Sequence, residues 1–119
     1  MKRLIAAALI ALTAAPAVAQ DFSPITSRDA FLQMIADRQM RLGRFGVNIV
    51  VRSNGAIDGS AVGWPITGSW TWQNGYFCRD MDWSGTEIPY NCQLVEAAGD
   101  RVRFTVDQGA GDSAVFRLQ

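Results

Sequence analysis

The chain has 119 residues, enough for one domain, and its 11 basic residues balance its 11 acidic ones. It contains no histidine, so it lacks the commonest general base and the commonest metal ligand. Its arginines are scattered along the chain without forming a basic stripe, so we expect no nucleic acid among its partners.

The first 19 residues have the three-part pattern of a secretory signal peptide. Two basic residues are followed by an apolar run over residues 4–15, and small residues precede an expected cleavage after Ala19. That run is too short for a transmembrane helix, which needs about 20 apolar residues, and no later segment is longer. The sequence therefore predicts an exported protein, periplasmic or secreted, with one small domain over residues 20–119 and no membrane span in it.

A short amphipathic helix is predicted over about residues 28–38. Ser27 can cap its start, and Phe31, Met34 and Ile35 repeat at helical spacing. We expect its apolar face to pack against the rest of the domain.

Beyond residue 42 the apolar residues alternate with a period of two, which is typical of strands. Turn sequences at residues 53–55, 74–75, 96–100 and 108–112 divide this region, while Gly63, Pro65 and Gly68 interrupt another stretch. The chemistry of the two Asn-Gly turns pairs Val51 with Ile57, and Trp72 with Phe77. The prediction is a mainly β domain, with six or seven short antiparallel strands over about residues 44–118.

One face of these strands collects large apolar residues. A turn centred between residues 98 and 99 pairs Val95 with Val102, and Arg79 is the one charged side chain on the same face. The predicted interior consists of Trp70, Trp72, Phe77, Met81, Val95, Val102, Phe104 and Val106. A meander of this size is expected to curl into a small barrel or half-barrel, with the helix covering one opening.

The two cysteines are predicted to form a structural disulfide. A loop centred on Gly85 places Cys78 directly opposite Cys92 on the neighbouring strand, within the range that a disulfide requires. A redox pair usually has the spacing Cys-x-x-Cys, and a structural zinc ion needs four ligands. We therefore expect a disulfide in an oxidising compartment and no metal.

Three acidic residues surround the predicted hairpin end after Cys78, namely Asp80, Asp82 and Glu87. The simplest interpretation is a solvated turn. The alternatives are a carboxylate pair that acts as acid and base in a hydrolase, or oxygen ligands for calcium.

Aromatic residues are concentrated between residues 64 and 90. They either fill a small core or line a barrel interior that holds an apolar ligand. Arg79 among them would anchor an anionic ligand or stack on a tryptophan, and exposed Trp64 or Trp83 would mark a binding patch. The candidate ligand-binding residues are Trp64, Trp70, Trp72, Tyr76, Arg79, Trp83 and Tyr90.

Three short features occur along this region: Gly68 with Trp70, the run "GYFC" at residues 75–78 and the run "YNC" at residues 90–92. With these features the chain resembles a group of small exported alphaproteobacterial proteins. Members of that group often carry the label dihydrodipicolinate reductase, so the resemblance implies a reductase. The chain contains no strand, Gly-x-Gly-x-x-Gly and helix in succession, and the resemblance identifies no catalytic residue.

The leading functional prediction is a non-enzymatic exported β-domain that binds a small molecule or an envelope protein, with no cofactor. The alternatives are a hydrolase that uses Asp80, Asp82 or Glu87, and the reductase that the resemblance implies.

Overall fold

The computed structural model describes residues 21–119, so the predicted signal peptide lies outside the described residues. Over this described range the chain forms one α-helix, two short 3₁₀ helices and nine strands. The helix is α1 (Arg28–Met34), and the 3₁₀ helices are Gly43–Phe45 and Asp107–Gly109. The strands are β1 (Ser23–Pro24), β2 (Gln39–Leu42), β3 (Val47–Val51), β4 (Ala56–Ala61), β5 (Trp64–Gln73), β6 (Tyr76–Trp83), β7 (Thr86–Ala98), β8 (Arg101–Thr105) and β9 (Ser113–Leu118).

The strands form a closed antiparallel barrel, which confirms the predicted fold class. Each strand from β2 to β9 pairs with the next one along the chain, and β9 pairs with β2 to close the ring of eight. The ninth strand, β1, pairs with the end of β7. Closure leaves no free edge in the ring, which protects a small β-domain from pairing with other chains. No helix within residues 21–119 is long enough and apolar enough to cross a membrane.

The Asn-Gly turns set their hairpins in the predicted register. Val51 pairs with Ile57 and Trp72 pairs with Phe77. Asn74 and Gly75 both have positive φ, as the primed turns of two-residue hairpins require. The β4–β5 and β6–β7 turns are of the same kind, although Val62 occupies the position that Asn74 occupies in its own turn.

The helix begins as predicted and ends earlier. The Ser27 hydroxyl accepts a hydrogen bond from the amide of Ala30 at 3.1 Å, as expected of an N-cap. The helix ends at Met34 rather than near residue 38, because Asp37 has a φ of 62°, which a right-handed helix cannot contain. The chain then enters β2 at Gln39, about five residues before the predicted start of the strands, in a strand too short for its alternation to stand out.

Pro65 and Gly68 lie inside β5, whereas the sequence suggested that they interrupt it. Pro65 lies at the start of the strand, before the ladder with β6 begins at Ile66, where a missing N–H group is tolerated. Gly68 faces the backbone of β6 so closely that a Cβ atom there would collide with the carbonyl of Asp80. Here glycine permits close packing of two strands instead of breaking one.

The β7–β8 hairpin differs from the predicted register by two residues. Val95 pairs with Phe104, and Val102 pairs with Ala97, because the turn is centred on Gly99 and Asp100. A shift of two residues keeps every side chain on the same face. The predicted interior face of these strands is therefore correct although the predicted pair is wrong.

The apolar core joins this face to the helix. Phe31 is fully buried, and its ring centroid lies 5.2 Å from those of Trp70, Trp72 and Phe77. The indole N–H of Trp70 donates to the carbonyl of Arg52 at 2.7 Å, so this buried polar group is satisfied. Thus α1 seals the end of the barrel at which the β3–β4 and β5–β6 turns lie.

Candidate functional site

The disulfide is present where the register predicted it. Cys78 and Cys92 are cross-strand partners on β6 and β7, with Cα atoms 3.9 Å apart. The register changes by one residue nearer the turn, where Trp83 pairs with Thr86 across Ser84 and Gly85. Two residues of β7, Pro89 and Tyr90, bulge there opposite Asp80 alone, so the disulfide holds the two strands together beside an irregular stretch.

A cavity of about 290 Å³ occupies the barrel interior. Most of its walls are apolar, and the wall residues come from seven of the eight barrel strands, all but β5, and from the segment between β8 and β9. They are Met40, Ile49, Val51, Ile57, Phe77, Arg79, Met81, Gln93, Phe104, Val106, Asp112, Ser113, Ala114 and Phe116. Since Asp112 and Ser113 are exposed, the cavity reaches the surface at the end of the barrel opposite α1.

This cavity lies at the small end of the size range of ligand pockets, which is roughly 300–1,000 Å³. The tryptophans do not line it: Trp70 and Trp72 pack against Phe31 at the closed end. Phe77, Phe104 and Phe116 provide its aromatic surface, with ring centroids 5.4–5.7 Å apart along the row. The core is therefore filled on the helix side and hollow beyond it.

Among the described residues that line the cavity, Arg79 is the one that is both charged and buried. It is 7% exposed, and its Nη1 donates to the carbonyl of Pro89 at 2.7 Å. Removal from water lowers the pKa of the guanidinium, and the nearby Asp80 carboxylate opposes that shift only in part. Pro89 belongs to the β7 bulge, so the bulge provides the acceptor that orients Arg79.

Gln93 is the second buried polar residue of the wall. It is 8% exposed and lies on β7 opposite Phe77. It follows Asn91, the residue that pairs with Arg79, by two positions, so it is a diagonal neighbour of Arg79 on the same face. Diagonal neighbours on one sheet face are about 7–8 Å apart, within reach of long side chains. Gln93 was not among the predicted site residues, although a polar residue at an inward-facing position of an alternating strand is a recognisable signal.

Large apolar side chains are exposed at the open end of the barrel. Val62 is 67% exposed and Trp64 is 60% exposed at the β4–β5 turn. Trp83 is exposed at the β6–β7 turn, and Phe45 is exposed between β2 and β3. The indole N–H of Trp83 donates to the carbonyl of Ala61 at 3.1 Å, which fixes the ring beside the β4–β5 turn. We call these four residues the apolar rim.

Two further candidates lie on the outer wall. Tyr90 is 56% exposed, and its hydroxyl lies 3.5 Å from the sulfur of Cys92, while Tyr76 is half-buried. Of the seven predicted ligand-binding residues, the structure brings Arg79 into the cavity and places Trp64 and Trp83 on the rim. The other four lie in the packed core or outside the barrel.

The acidic candidates lie away from the cavity. Asp80 is exposed and accepts a hydrogen bond from the Ser69 hydroxyl at 3.1 Å. Asp82 accepts from the amide of Gly85 at 2.8 Å and so stabilises the turn, and Glu87 is exposed opposite it. Within residues 21–119, no three acidic or cysteine side chains are grouped so that they could hold a metal ion.

Comparison of the chain with protein-family models, with curated proteins and with solved structures gives no significant match. The resemblance to exported alphaproteobacterial proteins, with its reductase label, therefore stays a prediction. The cavity and its walls are therefore the features from which a function can be inferred.

Proposed function

We propose that this protein is a non-enzymatic, exported binding protein that holds one small, mainly apolar molecule inside its barrel. The observation that carries the proposal is the cavity of about 290 Å³, which is sealed by α1 at one end and reaches solvent at the other. A filled core would have been more stable, since each unfilled volume forfeits dispersion contacts. A hollow with apolar walls is the usual form of a small-molecule site.

The apolar rim supports this proposal. Val62 has a φ of 52°, a conformation that is unfavourable for a β-branched residue and that Asn or Gly would adopt at lower cost. An exposed valine in that turn weakens the fold while it adds apolar surface at the open end. Together with Trp64 and Trp83, it gives an apolar molecule a surface to contact before it enters the barrel.

Export is proposed on two grounds. The Cys78–Cys92 disulfide is consistent with an oxidising compartment, where such bonds persist. The pattern of residues 1–19 predicts a signal peptide. A periplasmic location suits a carrier of apolar molecules, which must otherwise cross an aqueous space unaided.

The proposal is tested with Nile red, a neutral dye whose fluorescence rises in apolar surroundings. We expect one dye molecule to bind per chain. The variant Ala114→Phe places a ring in the cavity and should abolish binding, because Ala114 forms part of the wall. The matched control is Val115→Phe, which adds the same ring on the opposite face of β9 and should leave binding intact.

Equal dye binding by wild type and Ala114→Phe would show that the dye sits outside the barrel and would refute the proposal. Mass spectrometry of small molecules released from protein purified from its native compartment then identifies the natural ligand.

A further inference from the structure

Arg79 is a buried cation that forms no ion pair with a carboxylate within residues 21–119. The ion pairs within residues 21–119 join Arg52 to Asp58, Arg103 to Glu96 and Arg117 to Asp100, and all three lie on the outer surface or at its edge. A guanidinium stays charged in proteins, so the cavity wall carries a full positive charge at every physiological pH. Burying a charge without a partner is unfavourable, and folded proteins retain such an arrangement where a partner is supplied.

Arg79 keeps hydrogen-bond donors that no acceptor within residues 21–119 occupies. Of its nitrogens, Nη1 has an acceptor among the described residues, the Pro89 carbonyl. Within residues 21–119, the one side-chain polar atom that is both fully covered and without a partner is Asn48 Oδ1. The remaining nitrogens of Arg79 and the amide of Gln93 therefore keep an accessible surface, and both residues line the cavity. The two residues thus supply neighbouring hydrogen-bond donors at the wall of an otherwise apolar space.

A carboxylate fits these donors. Its two oxygens can accept parallel hydrogen bonds from a guanidinium edge, and an amide NH₂ group can donate to the same oxygens. A single cation balances a single negative charge. Asp112 at the mouth carries a negative charge of its own, which disfavours a ligand with several charges.

We propose that the ligand is an amphipathic monoanion, a carboxylate with an aliphatic chain, whose head contacts Arg79 and Gln93 inside the barrel. This inference rests on the proposed function, because it names the ligand class of the same cavity. The chain lies along apolar walls such as Met40, Ile49 and Ile57. Since the cavity is at the lower limit of ligand pockets, it suits a chain of medium length.

The experiment compares three probes that share one tail and differ in head charge: sodium decanoate, decanol and decyltrimethylammonium. Binding to the purified, lipid-stripped protein is measured by calorimetry. We expect decanoate to bind tightest and the cationic probe not to bind, because Arg79 repels it.

The variant Arg79→Met keeps the bulk of the side chain and removes its charge. It should lower decanoate affinity by about 30-fold or more, as loss of a buried charged partner does, while decanol binding is retained. The matched control is Arg41→Met, which removes an exposed arginine on β2 and should change neither affinity. Gln93→Leu should lower decanoate affinity by about tenfold, and it tests the same head site if Arg79→Met fails to fold.

The outcomes separate the two proposals. If decanol binds wild type as tightly as decanoate, the cavity does not select for a negative charge and the monoanion inference is wrong. It is also wrong if Arg79→Met keeps its decanoate affinity, because Arg79 then does not bind the head group. If neither decanoate nor decanol binds, the proposed function fails with it.

Discussion

Removal of the Cys78–Cys92 disulfide should destabilise the domain by about 3 kcal/mol. The two cysteines are 14 positions apart, so the bond closes a loop of about 15 residues in the unfolded chain. Closing a loop of that length removes unfolded-state entropy worth about 3 kcal/mol at 25 °C. A domain of this size has a net stability of about 5–15 kcal/mol, so the loss is a large share of it.

The assay is urea unfolding followed by tryptophan fluorescence, with and without a reductant. Reduced wild type keeps both sulfur atoms, whereas the variant Cys78→Ala/Cys92→Ala also loses the packing of the buried Cys78 side chain. Reduced wild type should unfold about 3 kcal/mol more easily than oxidised wild type, which lowers the melting temperature by roughly 12–24 °C. The double variant should lose at least as much. Reductant should not affect the double variant. A loss below about 1 kcal/mol in both proteins would refute the loop-closure argument.

Three further predictions concern the helix, the strained turn and an ion pair. Phe31→Ala should cost about 3–5 kcal/mol in unfolding free energy, since the fully buried ring joins α1 to the barrel; chemical denaturation measures the loss, and a value near zero would contradict the sealing role of α1. Val62→Asn should stabilise the fold by about 1 kcal/mol, because asparagine accepts positive φ more readily; an unchanged melting temperature would show that the turn is unstrained. The hydrogen bonds from Arg52 lower the pKa of Asp58 below its ordinary value of 3.8. The pair therefore stabilises the fold fully above about pH 3.8, and this stabilisation is lost as the pH falls through the lowered pKa. Asp58→Asn should therefore be less stable than wild type at pH 7, a difference that vanishes in acid; a gap that persists at the lowest pH would mean that the charge is not its cause.

Local chemistry accounts for the parts of the fold that sequence analysis predicted. Asn74 and Gly75 favour one turn type, and that turn sets the pairing of Trp72 with Phe77. The cysteine pair follows from the same kind of argument on the next hairpin. The inward-facing residues of β7 and β8 were identified despite a register that was wrong by two, because alternation determines a face more strongly than a pair.

Long-range contacts account for what was missed. The pairing of β2 with β9 closes the ring across most of the domain, and no turn sequence links these strands. Gly68 looks like a breaker until β6 is in place, because its function is to let the Asp80 carbonyl approach. The role of the bulge at Pro89 likewise depends on a neighbouring strand, because the Pro89 carbonyl accepts a hydrogen bond from Arg79 on β6.

The candidate site, too, was predicted in part from local sequence and decided in part by long-range contacts. Alternation alone placed Arg79 on the inward face among aromatic residues, which raised the question of an anion site. The aromatic residues themselves did not reveal the cavity, since Trp70 and Trp72 fill the helix end while Met40, Ile49 and Ile57 line the hollow. Whether an interior is filled depends on the summed volumes of side chains from several strands.

By itself, the sequence determined the strand-rich class, the turns, the face that each strand turns inward and the partnership of the two cysteines, because each of these depends on residues close together along the chain or within one hairpin. Only the tertiary structure decided that the ring closes, that α1 seals one end, and that Arg79 and Gln93 line one hollow, because these properties arise from groups brought together across many strands.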